Sequence, residues 1–442
     1  MAYAGKIASQ STAGSNGNTA VKILKTVYES GIQEALPLEF NYYKFAKANA
    51  DDIRFKGDHW EFDVHFARND RAQAFLPSET LPNSGAAVFD IASLGIARVA
   101  APLAIDHELV MLAKDDESAF STRAEALYQD TKDALMRNLN RMAVGDGTGV
   151  MGTIATSGVG VVSGSGAASR EILTLADTKF FEEGQAVEVW NAARTTQRGA
   201  TAGYVVSAVS STTITLKPAD GSTTTIDVTG WIATDVVVRK GSQNGDGTSK
   251  EMSGLQAIVG ANAPTTYQGL SGSTYRRWNG YRHNASSAAA SPLLIAQAQI
   301  AHRRAASSGA KWDFAFTAPE QAAKLLYGTG AAYGAGYARY SPGEISKLGT
   351  SETPTVAIPG MGEVAVQADI DLPTTSMFLG RKQDLLFIEL HPVKLEEFGG
   401  VSALPATDGA GGVLAADQMW FVTRANFGAR KRNEFCEIYG LA

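Results

Sequence analysis

The stretch HWEFDVHFARNDRAQAFLPSETLPNSG, residues 59–85, opens in strict alternation and ends as a polar loop. Trp60, Phe62, Val64 and Phe66 share one face, while His59, Glu61, Asp63 and His65 share the other, which is the two-residue period of a half-buried strand. Beyond the tip, with Pro77, Pro82, Asn83 and Gly85, the run AVFDIASLGIARVAAPLAIDHELV (87–110) returns, and the simplest reading is one long hairpin. What covers its apolar face is the question on which the fold turns.

Working outward, KDDESAFST (114–122) leads into Phe120, Ala124, Leu127, Thr131, Leu135, Leu139 and Met142, an apolar stripe at helical spacing. It predicts an amphipathic helix of about seven turns. GDGTG (145–149) ends it, where glycine tolerates a left-handed cap. A Gly/Ser stretch, 157–169, precedes residues 170–241, whose short β-rich runs around Val187, Val205, Ile214, Ile226 and Val236 are separated by turn signals. They predict a small inserted β-domain, and GSQNGDGTSKEMSG (241–254) reads as a second flexible linker behind it.

The remainder predicts a mixed α+β region. Ser291 and Pro292 open a helix through Leu294, Ala298, Ala301 and Ala305 that stops at Gly309. Thr317 and Glu320 form a capping box for a shorter helix ended by Gly328. A Gly/Tyr loop covers 328–343, and EVAVQA, LLFIEL and QMWFVTRA close the chain as strands. Upstream of the hairpin, residues 1–20 read as a polar arm, followed by a helical pattern through Val21, Leu24, Tyr28 and Ile32 that Pro37 stops.

At 442 residues with 44% hydrophobic side chains, the chain can build two or three cores. A net charge of −6 excludes a polybasic nucleic-acid binder, and neither a secretory leader nor a membrane-spanning run is read from the sequence. The single cysteine, Cys436, rules out an intrachain disulfide and reads as a core residue.

Motifs for catalysis are missing. His59, Glu61, Asp63 and His65 span about 20 Å along a strand, so all four cannot meet one ion. His107, His283, His302 and His391 show no metal-ligand spacing, and no phosphate loop, nucleophile elbow or kinase set occurs. No cofactor, metal or catalytic residue is expected. One charge bias stands out: between Met252 and Trp312 there is no acid, while Arg276, Arg277, Arg282, Arg303, Arg304 and Lys311 are basic. With Trp278 and Tyr281 interleaved in RRWNGYRHN, this segment could grip phosphates and bases, or its arginines could pair with carboxylates of a neighbouring subunit. ARKRNE (429–434) invites the same two readings.

The order of long hairpin, long helix ending in NRMAVGDGTG, and late α+β region resembles the tailed-bacteriophage major capsid protein of the Hong Kong 97 type. The resemblance implies an α+β capsid fold. Its parts would be an N-terminal arm (1–51), an extended loop with return strand (52–113), a spine helix and linker (114–169), an inserted β-barrel-like domain (170–241), and axial and remaining peripheral parts (242–442). It implies a non-enzymatic shell protein that forms hexamers and pentamers of itself around double-stranded DNA, assembled in the host cytoplasm. Scaffolding, portal and decoration proteins are the implied partners; no membrane is. On this reading Trp60, Phe62, Val64, Phe66, Arg68, Arg71 and Phe75 contact an adjacent subunit, and the arginines from 276 to 304 face DNA or a neighbour. No lysine lies between Gly57 and Ala113, so the covalent cross-link that some members form on this loop is not expected. Gly-rich joints at 145–170 and 242–254 would absorb shell expansion. A nanocompartment shell of the same fold, an unrecognised enzyme and a nucleic-acid-binding module are the competing readings.

Overall fold

The computed structural model describes residues 41–49, 51–53, 59–69, 74, 85–106, 117–155, 170–219, 226, 228, 230–306, 311–327, 355–358, 362–395, 404–407 and 413–442. The helical pattern at 21–32, Arg71, Phe75, His107 and the Gly/Tyr loop fall outside them.

Helix α1 (Asn41–Asn49) belongs to the core rather than to an arm: Tyr42, Tyr43, Phe45 and Ala46 are buried among aromatic rings from distant strands. Tyr42 meets Phe316 edge-on at 5.0 Å, and Tyr43 meets Phe387 at 6.2 Å. The expected arm therefore ends before residue 41. After α1, strand β1 (Asp51–Ile53) runs into the main sheet.

The hairpin is β2 (His59–Ala67) paired antiparallel with β3 (Val88–Gly95), in a register that sets Phe62 opposite Ala92 and His65 opposite Phe89. Its return run is shorter than expected. At Ile96 the chain leaves the hairpin, and β4 (Ala97–Asp106) pairs along its whole length with a strand more than 300 residues later. A distant strand offered β4 a full ladder, and no local pattern announces such a partner.

Spine helix α2 (Glu117–Val144) has 28 residues and is about 42 Å long. Leu135, Leu139 and Met142 of the expected stripe are buried, with Leu127 and Thr131 half-buried above them. Its last turn closes through the Gly145 amide on the Arg141 carbonyl at 2.9 Å. The left-handed residues are Gly147 and Gly149, not Gly145.

The inserted unit is a closed ring of strands. β5 (Val150–Thr153), β6 (Glu171–Thr174), β7 (Ala186–Trp190), β9 (Tyr204–Val209), β10 (Thr213–Pro218) and β11 (Val236–Arg239) follow the order β5-β11-β7-β9-β10-β6, and β8 (Gln197–Arg198) pairs with β7. Bridging between Ile154 and Leu175 joins the first strand to the last. The barrel thus begins at Val150, upstream of the expected boundary. Leu173, Val187, Val189, Tyr204, Val206, Ile214, Leu216 and Val237 fill it, and Ile226 is buried without belonging to a strand.

The stretch 241–254 is a packed seat, not a loose joint. Gln243 donates to the Thr148 carbonyl at 2.9 Å, and Lys250 N–H to the Ser242 carbonyl at 2.8 Å. A Cβ on Gly254 would stand 2.3 Å from the Met142 carbonyl oxygen, so glycine is required where this segment crosses the end of α2.

Beyond it come α3 (Leu255–Val259), the small pair β12 (Thr266–Tyr267) and β13 (Leu270–Ser271), then β14 (Tyr281–Asn284). Helix α4 (Pro292–Ala306) starts as expected, with the Leu294 amide donating to Ser291 Oγ at 3.3 Å. Its buried stripe is Leu294, Ile295, Ala298 and His302; Ala301 and Ala305 lie off it. Strand β15 (Phe314–Thr317) is wholly buried and precedes α5 (Pro319–Tyr327). Thr317 is not a cap: it is the last residue of that strand, and its hydroxyl donates to the Ser376 carbonyl at 3.1 Å.

Strands β16 (Thr355–Ile358), β17 (Gly362–Ala368), β18 (Ser376–Gly380) and β22 (Cys436–Tyr439) complete a sheet of order β14-β22-β18-β15-β17-β16. Strands β19 (Leu385–Leu395), β20 (Leu404–Thr407) and β21 (Val413–Ala429) form the other, β1-β19-β21-β20, with β4 on β21. One core lies among α1, α2 and the second of these sheets, another under α4, and a third inside the barrel. Cys436 is buried in the α4 core, and burial pushes its thiol well above the ordinary range.

Candidate functional site

The hairpin presents two unlike faces. On the inner one Phe66, 9% exposed, stacks on Tyr275 at 4.0 Å and meets Trp278 edge-on at 6.1 Å. Phe62 and Val64 pack on the main core, and Trp60 with Phe62 lies against Leu94, Leu386 and Ile388. Residues 275–278 and 386–388 of the same chain thus cover much of this face, while Trp60, Phe62 and Val64 stay half-buried. Ser93 N–H donates to the Gln268 carbonyl at 2.8 Å, and Asn426 Nδ2 to the Gly95 carbonyl at 2.7 Å, fixing the root. Beneath the root is a pocket of about 580 Å³ lined by Trp60, Phe62, Asp63, Gln383, Asp384, Arg430 and Lys431.

The outer face carries the surprise. His59, Glu61, Asp63 and His65 are exposed there as expected, but the cross-strand partners of His65 and Asp63 are Phe89, 62% exposed, and Ile91, 53% exposed. Phe89 stacks on the His65 ring at 4.6 Å, and Val88 is also exposed toward the tip. The uncovered apolar side chains thus sit on the return strand. Alternation in VFDIASLG shows them as plainly as in β2, once the register is known. Arg68 is exposed just beyond β2.

The basic segment divides. Arg282 pairs with Glu437 at 2.5 Å and lies over the Tyr439 ring at 4.4 Å, so its partner is in its own chain. Arg303 is half-buried, and its charge acts on the buried Glu434 carboxyl. Arg276, Arg277 and Arg304 are exposed. The interleaved aromatics are no base-stacking platform: Trp278 is buried with Nε1 donating to the Tyr267 carbonyl at 3.2 Å, and Tyr281 stacks on buried His302 at 4.9 Å. In ARKRNE, Arg432 is buried and donates to the Ile258 and Pro264 carbonyls, while Arg430 and Lys431 are exposed.

A groove of about 950 Å³ separates the barrel from the end of α2 and the 370–375 loop. Arg141 and Glu251, both buried, pair at 2.7 Å beside it. Among the described residues no group of three or more His, Cys, Asp or Glu is placed to hold a metal ion, and no helix is long and apolar enough to cross a membrane.

No protein-family model matches the sequence, and no curated protein matches it. Among solved structures, the cyanophage A-1(L) capsid asymmetric unit superposes with a TM-score of 0.50 at 12% identity, over 95% of this chain and 98% of that one. The chain has a phage-capsid fold. The capsid fold accounts for the order of hairpin, spine helix and late sheets as one architecture, end to end. The capsid of an empty GTA particle aligns with a TM-score of 0.47 at 10% identity over 95% and 96% of the two chains. The holo-SrpI encapsulin complex from Synechococcus elongatus PCC 7942 aligns with a TM-score of 0.42 at 7% identity over 96% and 95%.

Proposed function

We propose that this chain is the major capsid protein of a tailed phage, of the Hong Kong 97 type, assembling as hexamers and pentamers into an icosahedral head around double-stranded DNA. The observation that carries the reading is the likeness to a phage capsid subunit across nearly the whole of both chains. The hairpin supplies the assembly device. Its inner face is seated on its own subunit, so its outer face, with Phe89, Ile91 and the adjoining His65 and Asp63, is held ready for a neighbour. Each such contact is modest, and closed symmetry multiplies it because every copy offers the same surface.

The net charge of −6 suits a wall that holds DNA weakly, with Arg276, Arg277 and Arg304 as its candidate inward or inter-subunit cations. A scaffolding protein, a portal and a decoration protein are the further partners this role calls for. Domain rotation during shell expansion would have to turn elsewhere than at 241–254, which is clamped to Thr148 and to the end of α2.

Electron microscopy of the chain expressed with its genomic neighbours tests the reading. DNA-filled closed heads are expected. Cages filled with protein would favour a nanocompartment shell, and a chain that stays monomeric at high concentration would overturn both.

A further inference from the structure

The first amides of helix α1 are capped from far along the chain. Tyr42 N–H donates to Asp369 Oδ2 at 2.9 Å, and Tyr43 N–H donates to Asn140 Oδ1 at 3.0 Å, across separations of 327 and 97 residues. The opening turn of a helix leaves its amides without intrahelical partners, and the oxygen that satisfies one usually belongs to the residue just before it. Here the oxygens come from α2 and from the loop after β17. Asp369 also accepts from Asp371 N–H at 2.9 Å and from Asn140 Nδ2, which lies 3.3 and 3.4 Å from its two oxygens and donates to Asp371 Oδ2 at 2.7 Å. All of these contacts of Asp369 are donated to it, so it caps as a carboxylate, the charge that suits a helix N-terminus. Tyr42, Asn140, Asp369 and Asp371 are buried.

The loop that carries this cap is held in turn by the barrel. Lys179, between β6 and β7, donates its Nζ to the Asp371 carbonyl at 3.0 Å and to the Leu372 carbonyl at 3.3 Å. The exposed carboxylate of Asp177 stands farther off, at 3.7 Å. Helix α2 fixes the same stretch of barrel: Arg137 Nη2 donates to the Lys179 carbonyl at 3.5 Å, and Arg137 pairs with Glu182. Among the described residues the apolar clusters of barrel and body have no member in common, so the ties that join them here are polar.

We propose that these residues form a relay through which the inserted barrel sets the docking of α1: Lys179 holds the 369–372 loop, and the loop holds the first turn of the helix. A partner or a movement that draws Lys179 away would uncap α1, at the point where the N-terminal segment joins the core. This coupling is independent of what the chain assembles into.

Hydrogen exchange of the full-length chain at about pH 8 tests the relay, because Asp369 is ionised there although burial raises its carboxyl to about 6. Lys179→Met should speed exchange of the Tyr42 to Phe45 amides about fivefold, the loss of one net hydrogen bond. Arg194→Met removes a different tie of the barrel, its bond to the Thr148 carbonyl at 3.0 Å, and should leave those amides within about twofold of the parent. In an Asp369→Ala background, where the cap is already gone, Lys179→Met should add less than about twofold at Tyr42. Unchanged exchange in Lys179→Met, an equal rise in Arg194→Met, or full additivity with Asp369→Ala would each overturn the coupling. Should Asp369→Ala fail to fold, the contrast between Lys179→Met and Arg194→Met decides alone.

Discussion

The barrel and the hairpin are both made of short alternating strands, yet their edges and faces end up in opposite conditions. In the barrel, β5 and β6 meet through Ile154 and Leu175, so the ladder returns on itself, and apolar residues from every wall fill one interior. The hairpin is a two-stranded sheet with one face seated on Tyr275, Trp278 and Leu386 and the other left with Phe89 and Ile91 in solvent. A closed sheet satisfies itself. A pair of strands cannot, so it takes one cover from its own chain and leaves its other face open.

Substitutions can break or sharpen this contrast. The largest effect is expected on the open side, where the double variant Phe89→Asp, Ile91→Asp should abolish particles seen by electron microscopy. Its monomer should unfold within about 0.5 kcal/mol of the parent, because both sites are exposed. Normal particles from this variant would mean that the outer face is not an interface. Inside the barrel the effect is on folding: Leu216→Ala, at a fully buried site, should cost about 4 kcal/mol in urea denaturation. Phe66→Ala should cost about 3 kcal/mol despite lying on the projecting element, since its stack on Tyr275 is internal to the chain. A loss below about 1 kcal/mol would return that face to the neighbour.

The smallest effect concerns charge. Glu171 points into the barrel opposite Leu216, neither oxygen has a hydrogen-bond partner among the described residues, and burial raises its carboxyl to about 7 from 4.5. A raised carboxyl favours the native state as pH falls through 7 toward 4.5, so ionised Glu171 is a cost above pH 7. Glu171→Gln should then stabilise the chain by about 2 kcal/mol at pH 8 and by far less at pH 5. Glu61→Gln, on the exposed face of the hairpin, should change stability by less than about 0.5 kcal/mol at either pH. Equal responses at the two sites would erase the distinction between closed and open β-structure.

Much of this was legible in the residues. Alternation located β2 and its solvent face, the three- and four-residue spacing of Leu135, Leu139 and Met142 located α2, and turn signals announced the inserted strands. Failures cluster where a partner is remote. Trp278 and Arg282 look like a nucleic-acid grip in RRWNGYRHN, but one is core and the other is held by Glu437. Composition made 241–254 a linker, whereas Gly254 is there for close approach to α2. Thr317 has the spacing of a cap, yet a neighbouring strand claims its hydroxyl.

Taken alone, the sequence determined the hairpin's first strand, the spine helix and the inserted strands, that no disulfide framework could hold them, and that one β-arm would present two different faces. These are local matters, set by side-chain period, turn chemistry and composition. Only the tertiary structure decided which of those faces is covered, where β4 leaves the hairpin, and that two aspartates meet at the root of α1. Such outcomes depend on contacts between residues hundreds of positions apart, and the spacing of neighbours along the chain shows that a face is buried but not which remote partner covers it.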